Sequence, residues 1–210
     1  MIADASFEVR AGESVAIMGP SGCGKSTLLA ILGTLETPST GRLIVGSNDP
    51  FTFDERRLAA FRNERLGFVF QHHHLLPQCT ALENVLAPTL AGFSRESRID
   101  RARELLRRVG LAERADHLPA ELSGGERQRC AVARALINEP AIVLADEPTG
   151  SLDRSSADAV GNLLLELPRA ERAAMIIVTH SDRLAAQFDT RYELVDGRLR
   201  PVGIEPAGAR

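Results

Sequence analysis

The sequence predicts an α/β fold in which helices cover a parallel sheet and an inserted helical lobe interrupts the alternation. Short apolar runs at 141–145 and 175–178 have the length and unbroken hydrophobicity of strands buried on both faces of a parallel sheet. A glycine-rich turn at 19–24 joins a third apolar run, at 14–18, to a helical stretch. From about 71 to 122 the pattern is mostly helical, which indicates the inserted lobe.

The first part of the chain predicts an antiparallel β segment. Apolar and polar residues alternate at 5–9, and a short turn then leads into the run at 14–18, as in a strand pair. Another strand is expected at 41–45. A further strand is expected at 66–70, and the chain leaves it at Gln71.

Capping and turn signals predict several of the remaining elements. Thr80–Glu83 has the capping-box pattern of a helix start, and residues 96–109 carry apolar positions at helical spacing before Gly110. Asp196-Gly197 lies between two short strand-like runs, which is typical of a two-residue hairpin. The Gly/Pro-rich tail at 201–210 is expected to be disordered.

Length and composition indicate a single domain over residues 1–210 with one substantial core, since 44% of its residues are hydrophobic and 25% charged. The chain has neither the roughly 20-residue apolar run of a transmembrane helix nor a signal-peptide pattern, so we expect it to stay inside the cell. Its three widely spaced cysteines fit reduced thiols better than disulfides. A net charge of -3 argues against a nucleic-acid partner.

One residue stands out among the 25 basic side chains, because Lys25 is a lysine and all the others are arginines. It ends a segment that fits the phosphate-loop pattern G-x-x-x-x-G-K-[ST] between a predicted strand and a predicted helix. A compact ammonium suits a narrow glycine loop better than a planar guanidinium does. We therefore predict that the following residues bind the phosphates of a nucleotide: Gly19, Pro20, Ser21, Gly22, Cys23, Gly24, Lys25, Ser26 and Thr27.

Two acidic residues follow a buried strand, at the edge where an open α/β sheet binds its ligands. Asp146 and Glu147 come directly after the run at 142–145. We expect Asp146 to hold Mg²⁺ together with the Ser26 hydroxyl, and Glu147 to activate the attacking water. A solvated loop would explain an isolated Asp-Glu pair equally well, but a phosphate loop in the same sheet favours the functional interpretation.

Two more predicted strands end in polar residues, Gln71 and His180. Because parallel strands end at the same edge of a sheet, we expect these two side chains to meet Lys25 and the pair Asp146-Glu147 there. A lone histidine at a strand end is often structural. Facing a triphosphate, His180 is interpreted as a γ-phosphate contact.

The segment Leu122–Gln128 opens a helix and has two explanations. Ser123 and Glu126 form an S-x-x-E capping box, which is a purely structural device. A capping box does not require two successive glycines, however, and Gly124 and Gly125 expose backbone N–H groups at a helix N terminus. These three residues, Ser123 to Gly125, therefore form a candidate second anion site that has no lysine.

Taken together, these motifs resemble the ABC transporter ATPases over nearly the whole chain. The family's motifs occur in the family's order: the loop at 19–27, Gln71, Leu122–Glu126, Asp146-Glu147, Gly150–Asp153 and His180. The resemblance implies a P-loop ABC ATPase core that binds ATP and Mg²⁺. It implies catalytic roles for Lys25, Gln71, Glu147 and His180, and metal-ligand roles for Ser26, Gln71 and Asp146.

The resemblance also implies a head-to-tail homodimer. In it, Ser123–Gly125 of one subunit would close over the ATP held by Lys25 of the other. Asp153 resembles the family residue that crosses this interface, although a plain helix N-cap explains it locally. The helical lobe, approximately 72–122 and hinged at Gln71, would pass the closing motion to integral membrane permease subunits, which implies a peripheral position on the cytoplasmic face of the inner membrane.

The segment Gln71–Val85 resembles the lipoprotein-releasing ATPase subunits of bacteria, whose permease partners are LolC/LolE-like. Residues 121–129 and 145–150 suit that group, and they also suit the macrolide-exporter and cell-division ATPases, which stay open as alternatives. A soluble ABC protein that acts on ribosomes or DNA is an alternative of another class. Such proteins usually carry two ATPase units or long insertions, and neither is expected here.

Three other features are the start of the chain, the consecutive histidines and Cys23. Family members usually begin with a strand whose aromatic residue stacks on adenine, and we expect the given sequence to begin after that strand. Two explanations stay open, a natural start further upstream or weak binding of the base. Phe7 is expected in the core, and no adenine-stacking residue is assigned. Consecutive histidines at 72–74 cannot readily face one metal ion, which favours a partner contact or plain surface. Cys23, at a helix N terminus, is either a reactive thiol or an inert one.

Overall fold

The fold is built on a six-stranded mixed sheet. The computed structural model describes residues 2–92 and 98–202. Within them the strands are β1 Ser14–Met18, β2 Leu66–Phe70, β3 Ile142–Asp146, β4 Ala174–Val178, β5 Thr190–Val195 and β6 Arg198–Val202. They lie in the order β2-β3-β4-β1-β5-β6, and every pair of neighbours is parallel except β5 and β6. The predicted α/β fold with a parallel sheet is therefore confirmed.

Seven α-helices accompany the sheet in the described residues. They are α1 Lys25–Leu32, α2 Glu55–Arg65, α3 Ala81–Leu86, α4 Ile99–Arg108, α5 Gly124–Leu136, α6 Arg154–Ala170 and α7 Asp182–Ala185. Five of them begin at a side-chain N-cap, which accepts a hydrogen bond from a free backbone N–H of the first turn: Asp54, Thr80, Ser123, Asp153 and Ser181. The starts of α2 and α7 were not predicted from the sequence.

Hydrophobic layers cover both faces of the sheet. Along β4, Met175 and Ile177 pack into the layer formed with α3 to α6, whereas Ile176 and Val178 pack into the layer formed with α1 and the N-terminal segment. Strands covered on both sides must be apolar at every position, which is why β4 was predictable as a continuous run. With both faces occupied, the carboxyl edge of the sheet is the place left for a site.

The helices of the predicted lobe pack against α5. The Thr80 capping box is confirmed in both directions: Thr80 N donates to Glu83 Oε2 at 2.9 Å, and Glu83 N donates to Thr80 Oγ1 at 3.2 Å. The helix predicted at 96–109 is observed as α4, and residues 96 and 97 lie outside the described part of the chain. Leu105 and Leu106 of α4 are fully buried, so this helix contributes to the main core.

The hairpin near the C terminus is confirmed, but the start predicted for the disordered tail is wrong. Asp196 and Gly197 have φ values of 49° and 73°, the left-handed pair that a tight two-residue turn needs. Strand β6 continues through Pro201, which pairs with Tyr192 at the outer edge of the sheet. An edge position tolerates a proline because a missing N–H costs no ladder bond there. Residues 203–210 lie outside the described residues.

Of the predicted N-terminal strand pair, the strand at 14–18 is confirmed as β1, but the strand at 5–9 and its antiparallel pairing are wrong. Residues 5–9 form no strand in the described structure, and the nearest pairing is a single parallel bridge from Asp4 to Arg198. Both edges of β1 are already occupied, by β4 and by β5, so the segment cannot pair with β1. It lies on the sheet instead, and Ala5, Phe7 and Val9 pack on the second hydrophobic layer, as expected for a core Phe7. Residues 41–45 likewise make only one bridge, from Val45 to Asn48.

Candidate functional site

The ends of four strands meet at one edge of the sheet, as predicted. Phe70, the last residue of β2, pairs in register with Asp146, which pairs in turn with Val178. Val178 also pairs with Ile17 of β1. The residues that follow these strand ends, including Gln71, Glu147 and Gly19, therefore leave the sheet at nearly the same level.

The loop between β1 and α1 adopts a conformation that needs its glycines. Gly19, Gly22 and Gly24 have φ values of 148°, 78° and 104°, all in the region that side-chain-bearing residues rarely adopt. Gly19 is fixed by sterics as well, because a Cβ there would stand 2.4 Å from the carbonyl oxygen of Leu194. The close contact with the backbone of β5 therefore fixes the loop at the edge of the sheet.

The Lys25 side chain lies inside this loop. It is only 9% exposed, and its Nζ donates to the carbonyl oxygens of Gly19 at 2.8 Å and Pro20 at 2.9 Å. An ammonium held by two uncharged carbonyls has no full counter-charge from them. It is thus placed to exchange these acceptors for anionic oxygens.

Asp146 and Ser26 lie together at the foot of the loop. The Asp146 carboxyl is half-buried; burial raises its pKa, the nearby Glu147 carboxylate adds to the rise, and a hydrogen bond with the Ser26 side chain opposes it. A carboxylate and a hydroxyl are hard oxygen donors, which is the ligand type that Mg²⁺ prefers. These two predicted metal ligands are brought together, whereas the structure gives no contact between them and Gln71.

Glu147 is held in an unusual backbone conformation. Its φ is 45°, and its N–H donates to the carbonyl of Val178 at 2.9 Å. This geometry directs the side chain toward His180, whose Nδ1 lies 2.8 Å from Glu147 Oε2. The predicted phosphate-contacting histidine is therefore a partner of the predicted base, a pairing that the sequence analysis missed.

Gln71 is exposed and lies beside the turn that follows Glu147. A Cβ at Gly150 would stand 3.2 Å from Gln71 Nε2, and Ser151 Oγ donates to the Gln71 carbonyl at 3.5 Å. The segments after β2 and β3 are thus in direct contact. A side chain at Gly150 would crowd the Gln71 amide, so the contact between these two segments depends on glycine at this position.

The second candidate anion site begins α5 with the predicted capping box. Ser123 N donates to Glu126 Oε2 at 2.8 Å, and this bond lowers the pKa of the Glu126 carboxyl. In return, Glu126 N donates to Ser123 Oγ at 3.2 Å. The two glycines differ. A Cβ at Gly125 would stand 2.7 Å from Ser156 Oγ, whereas one at Gly124 would meet nothing closer than 3.7 Å. Close helix packing therefore explains Gly125, and only Gly124 is left without a packing reason.

Asp153 is a helix N-cap in this structure. Its Oδ1 accepts from the backbone N–H groups of Ser155 at 3.0 Å and Ser156 at 3.1 Å, and from Ser155 Oγ at 2.9 Å. The hydrogen bonds from Ser156 and Ser155 lower the pKa of Asp153 to about 2. The local interpretation of this residue is confirmed, and its role at a dimer interface stays a prediction.

The remaining histidines and cysteines form no metal site in residues 2–92 and 98–202, where three or more potential ligands nowhere cluster. His73 and His74 instead offer their backbone carbonyls to Arg134, at 2.7 Å each. All three cysteines are free, and Cys23, within the phosphate loop, is partly exposed. No structural or functional role was predicted from the sequence for Gln128, a buried amide on α5. Its position on the same helical face as Val132 and Ala135 was the signal that could have revealed it.

Comparison with known proteins agrees with this geometry. A family model described as "ABC transporter" matches residues 2–150. The chain belongs to the ABC transporter family. Two curated relatives in this family are named lipoprotein-releasing system ATP-binding protein LolD. LolD 2 of Rhodospirillum rubrum is 55% identical and the match covers 96% of this chain and 87% of the relative; LolD 1 of Rhodopirellula baltica is 52% identical, with 92% and 85% covered.

Solved ABC structures share the fold. The dimeric ATP-binding cassette MJ0796, in a post-hydrolysis state bound to ADP and Pi, superposes with a TM-score of 0.85 at 38% identity. The match covers 96% of this chain and 89% of that one. No helix among the described residues combines the length and the apolar character that crossing a membrane requires.

Proposed function

We propose that this chain is the ATP-hydrolysing nucleotide-binding subunit of an ABC transporter that releases lipoproteins from the bacterial inner membrane. The observation that carries the proposal is the meeting of Lys25, Asp146 and Glu147 at one sheet edge. Relatives 49–55% identical to this chain carry the LolD name, which supports the choice of cargo class. Residues 1–210 would form a single ABC ATPase domain with a helical subdomain at approximately 72–122.

In this proposal the phosphates of ATP occupy the loop at 19–27. The Lys25 ammonium exchanges the carbonyls of Gly19 and Pro20, its present acceptors, for phosphate oxygens. The exchange replaces two neutral acceptors by charged ones, and hydrogen bonds between two charged groups are the stronger kind. Backbone N–H groups at the start of α1 add positive potential to the same site.

Ser26 and Asp146 fit a Mg²⁺ ion, because a hydroxyl and a half-buried carboxylate supply oxygen donors at the foot of the loop. When bound, Mg²⁺ would neutralise charge on the β- and γ-phosphates. Burial raises the pKa of Asp146, and a cation nearby would oppose that rise because its positive charge favours the ionised carboxylate. Gln71 would complete this ligand set.

Hydrolysis requires a base for the attacking water, and Glu147 supplies it. As the water oxygen bonds to the γ-phosphorus, its proton passes to Glu147 and the bond to the β-phosphate oxygen breaks, giving ADP and Pi. His180, with its Nδ1 2.8 Å from Glu147 Oε2, orients the carboxylate and offers its other ring nitrogen to the γ-phosphate. Its side chain is 70% exposed, which leaves room for that contact.

The functional unit would be a homodimer that closes on nucleotide. In it the N terminus of α5, with Ser123, Gly124 and Gly125, covers the ATP of the partner. The dimeric form of the MJ0796 cassette supports this arrangement. Because each nucleotide then contacts both subunits, ATP stabilises the dimer and its hydrolysis loosens it.

The membrane partners would be LolC/LolE-like permease subunits, which hold the dimer on the cytoplasmic face of the inner membrane. Two large apolar side chains of the lobe, Leu76 and Leu90, are 43% and 74% exposed. A permease subunit that covered these side chains would remove their apolar surface from water. We propose that the lobe carries the permease contact.

Two variants test the ATPase proposal directly. Glu147→Gln should bind ATP and dimerise in its presence while losing at least about 100-fold in turnover, as expected when a general base is removed. Lys25→Met should lose turnover because it cannot hold the phosphates. Glu166→Gln, an exposed residue of α6, is the matched control and should hydrolyse ATP like the wild type. Turnover that survives in Glu147→Gln would exclude Glu147 as the base.

A further inference from the structure

Helix α5 contacts the chain on both sides of Gln71. On the strand side, Gln128 is only 1% exposed and its Nε2 donates to the carbonyl of Phe70 at 2.8 Å. Strand β2 is the edge strand of the sheet, so its outer backbone groups have no strand partner. The helix packs tightly here, since a Cβ at Gly67 would stand 2.3 Å from the Ala135 carbonyl oxygen.

On the other side, Arg134 holds the residues that follow Gln71. Its two terminal nitrogens donate to the carbonyls of His73 and His74, each at 2.7 Å. No carboxylate pairs with Arg134 anywhere in the part of the chain described, and burial lowers the pKa of the guanidinium. Its charge is therefore directed entirely at two backbone carbonyls. Hydrogen bonds from a charged donor are stronger than those between neutral groups.

The segment that Arg134 holds does not adopt a relaxed conformation. His74 has a φ of 47°, in the left-handed region that disfavours a residue with a side chain. Such a conformation persists only where surrounding contacts impose it. The two hydrogen bonds from Arg134 provide that constraint, and Asn84 anchors the next part of the loop through Leu76 and Cys79.

We infer that Gln128 and Arg134 are positioning residues that fix Gln71 from both sides and tie it to α5. The inference rests on the proposed role of Gln71 at the nucleotide. The helix that carries these two residues begins at Ser123–Gly125, roughly 16 Å from Arg134 along its axis. Contact between that N terminus and the partner's nucleotide would therefore move or lock Gln71 of the subunit's own site.

Steady-state ATP hydrolysis by the full-length chain tests this inference. The variants are Arg134→Met, Gln128→Leu, Gln71→Ala and the double variant Gln71→Ala/Arg134→Met. Arg134→Met and Gln128→Leu should each lower kcat by about 10- to 100-fold, the cost of misplacing a reacting group by about 1 Å. The KM for ATP should change less than about threefold, since Lys25 still holds the phosphates. Arg134→Lys should recover part of kcat, because an ammonium reaches one carbonyl but lacks the fork of a guanidinium.

The double variant decides the case. If Arg134 acts through Gln71, adding Arg134→Met to Gln71→Ala should lower kcat by less than about twofold. If the two losses multiply instead, Arg134 acts independently and the inference is wrong. A Gln71→Ala variant with wild-type kcat would refute the role of Gln71, whereas the Glu147→Gln test of ATP hydrolysis would be unaffected.

Arg129→Met is the matched control. Arg129 lies on the same helix, but its Nε donates to the backbone carbonyl of Val109 at the end of α4 rather than to a residue next to Gln71. It should lower thermal stability to a similar extent as Arg134→Met while kcat at a temperature where the protein is folded stays within about threefold of wild type. An equal loss of kcat in Arg129→Met would show that general loosening of α5, rather than the position of Gln71, limits turnover. Should Arg134→Met fail to fold, Gln128→Leu combined with Gln71→Ala provides the same cycle.

Discussion

One carboxylate oxygen of Asp153 caps the N terminus of α6. Its Oδ1 accepts three hydrogen bonds, two from backbone N–H groups and one from the Ser155 hydroxyl. Because these bonds favour the ionised form, the pKa of this exposed group falls from 3.8 to about 2.

The lowered pKa predicts how Asp153 affects stability against pH. A carboxyl whose pKa is lower in the folded state adds stability that is complete above the unfolded pKa and disappears as the pH falls through the folded one. Asp153→Asn keeps an N-cap acceptor but cannot titrate. We expect wild type to be the more stable at pH 5 and its advantage to disappear between about pH 4 and pH 2. Urea midpoints of both proteins across this range measure the difference, and parallel curves would contradict the assignment.

The sequence identified the individual polar residues of the site but not their partners. Lys25, Asp146 and Glu147 were recognisable from the phosphate-loop pattern and from their positions after strands. The contact between Glu147 and His180 was not, because it depends on the positive φ of Glu147. Such a conformation arises where the chain leaves the sheet, and no spacing pattern encodes it.

The two glycines that begin α5 differ in whether helix packing requires them. Gly125 lies against Ser156 of α6, so a side chain there would force these helices apart. Gly124 lies in the same first turn, where a Cβ would make only an ordinary van der Waals contact, 3.7 Å from Leu152. Only one of the two is therefore a clean probe of the proposed contact with the partner's nucleotide.

Gly124→Ala and Gly125→Ala should consequently have different effects. Gly125→Ala should lower the free energy of unfolding by about 1–3 kcal/mol, the usual cost of overpacking, and Ser156→Gly should recover part of it. Gly124→Ala should leave stability unchanged or slightly raised, since alanine is the better helix former. If the Gly124 backbone approaches the partner's nucleotide, the same variant should weaken ATP-dependent dimerisation. Gel filtration with ATP in the Glu147→Gln background measures this, and unchanged dimerisation would place Gly124 outside the contact.

Elements were predictable where burial alone decides them and failed where neighbours decide them. Residues 142–145 of β3 and the whole of β4 are apolar because both of their faces are covered. Residues 5–9 have the alternation of a strand, and they do pack one face on the sheet, but both edges of β1 are taken. Strand order is a property of the whole sheet, so the local pattern could not exclude a strand at 5–9.

The lobe and the core are joined by charged groups as well as by apolar packing. Arg101 and Arg108 of α4 donate to the two carboxylate oxygens of Glu171, each at 2.6 Å, and the Glu171 side chain is only 13% exposed. Arg101 also donates to the carbonyls of Leu136 and Ile137 at the end of α5. One glutamate at the end of α6 thus fixes α4 relative to two core-facing helices.

Glu171→Ala should therefore loosen the lobe. Its removal takes the carboxylate partner away from the Arg108 guanidinium and leaves Arg101 with only the longer ion pair to Glu139, at 3.6 Å. We expect the free energy of unfolding to fall by about 1–3 kcal/mol. Backbone N–H groups of α4 should exchange with solvent faster than those of β4, because the lost contacts hold the lobe and not the sheet.

The control is Glu104→Ala, which removes an exposed ion pair with Arg107 within α4 and should leave the urea midpoint close to wild type. If both variants unfold at the same urea concentration, Glu171 does not join the lobe to the core. If Glu171→Ala alone is destabilised and exchange in α4 rises, the position of the lobe depends on this one carboxylate. A permease that moves the lobe would then have to strain or break the ion pairs between Glu171 and α4.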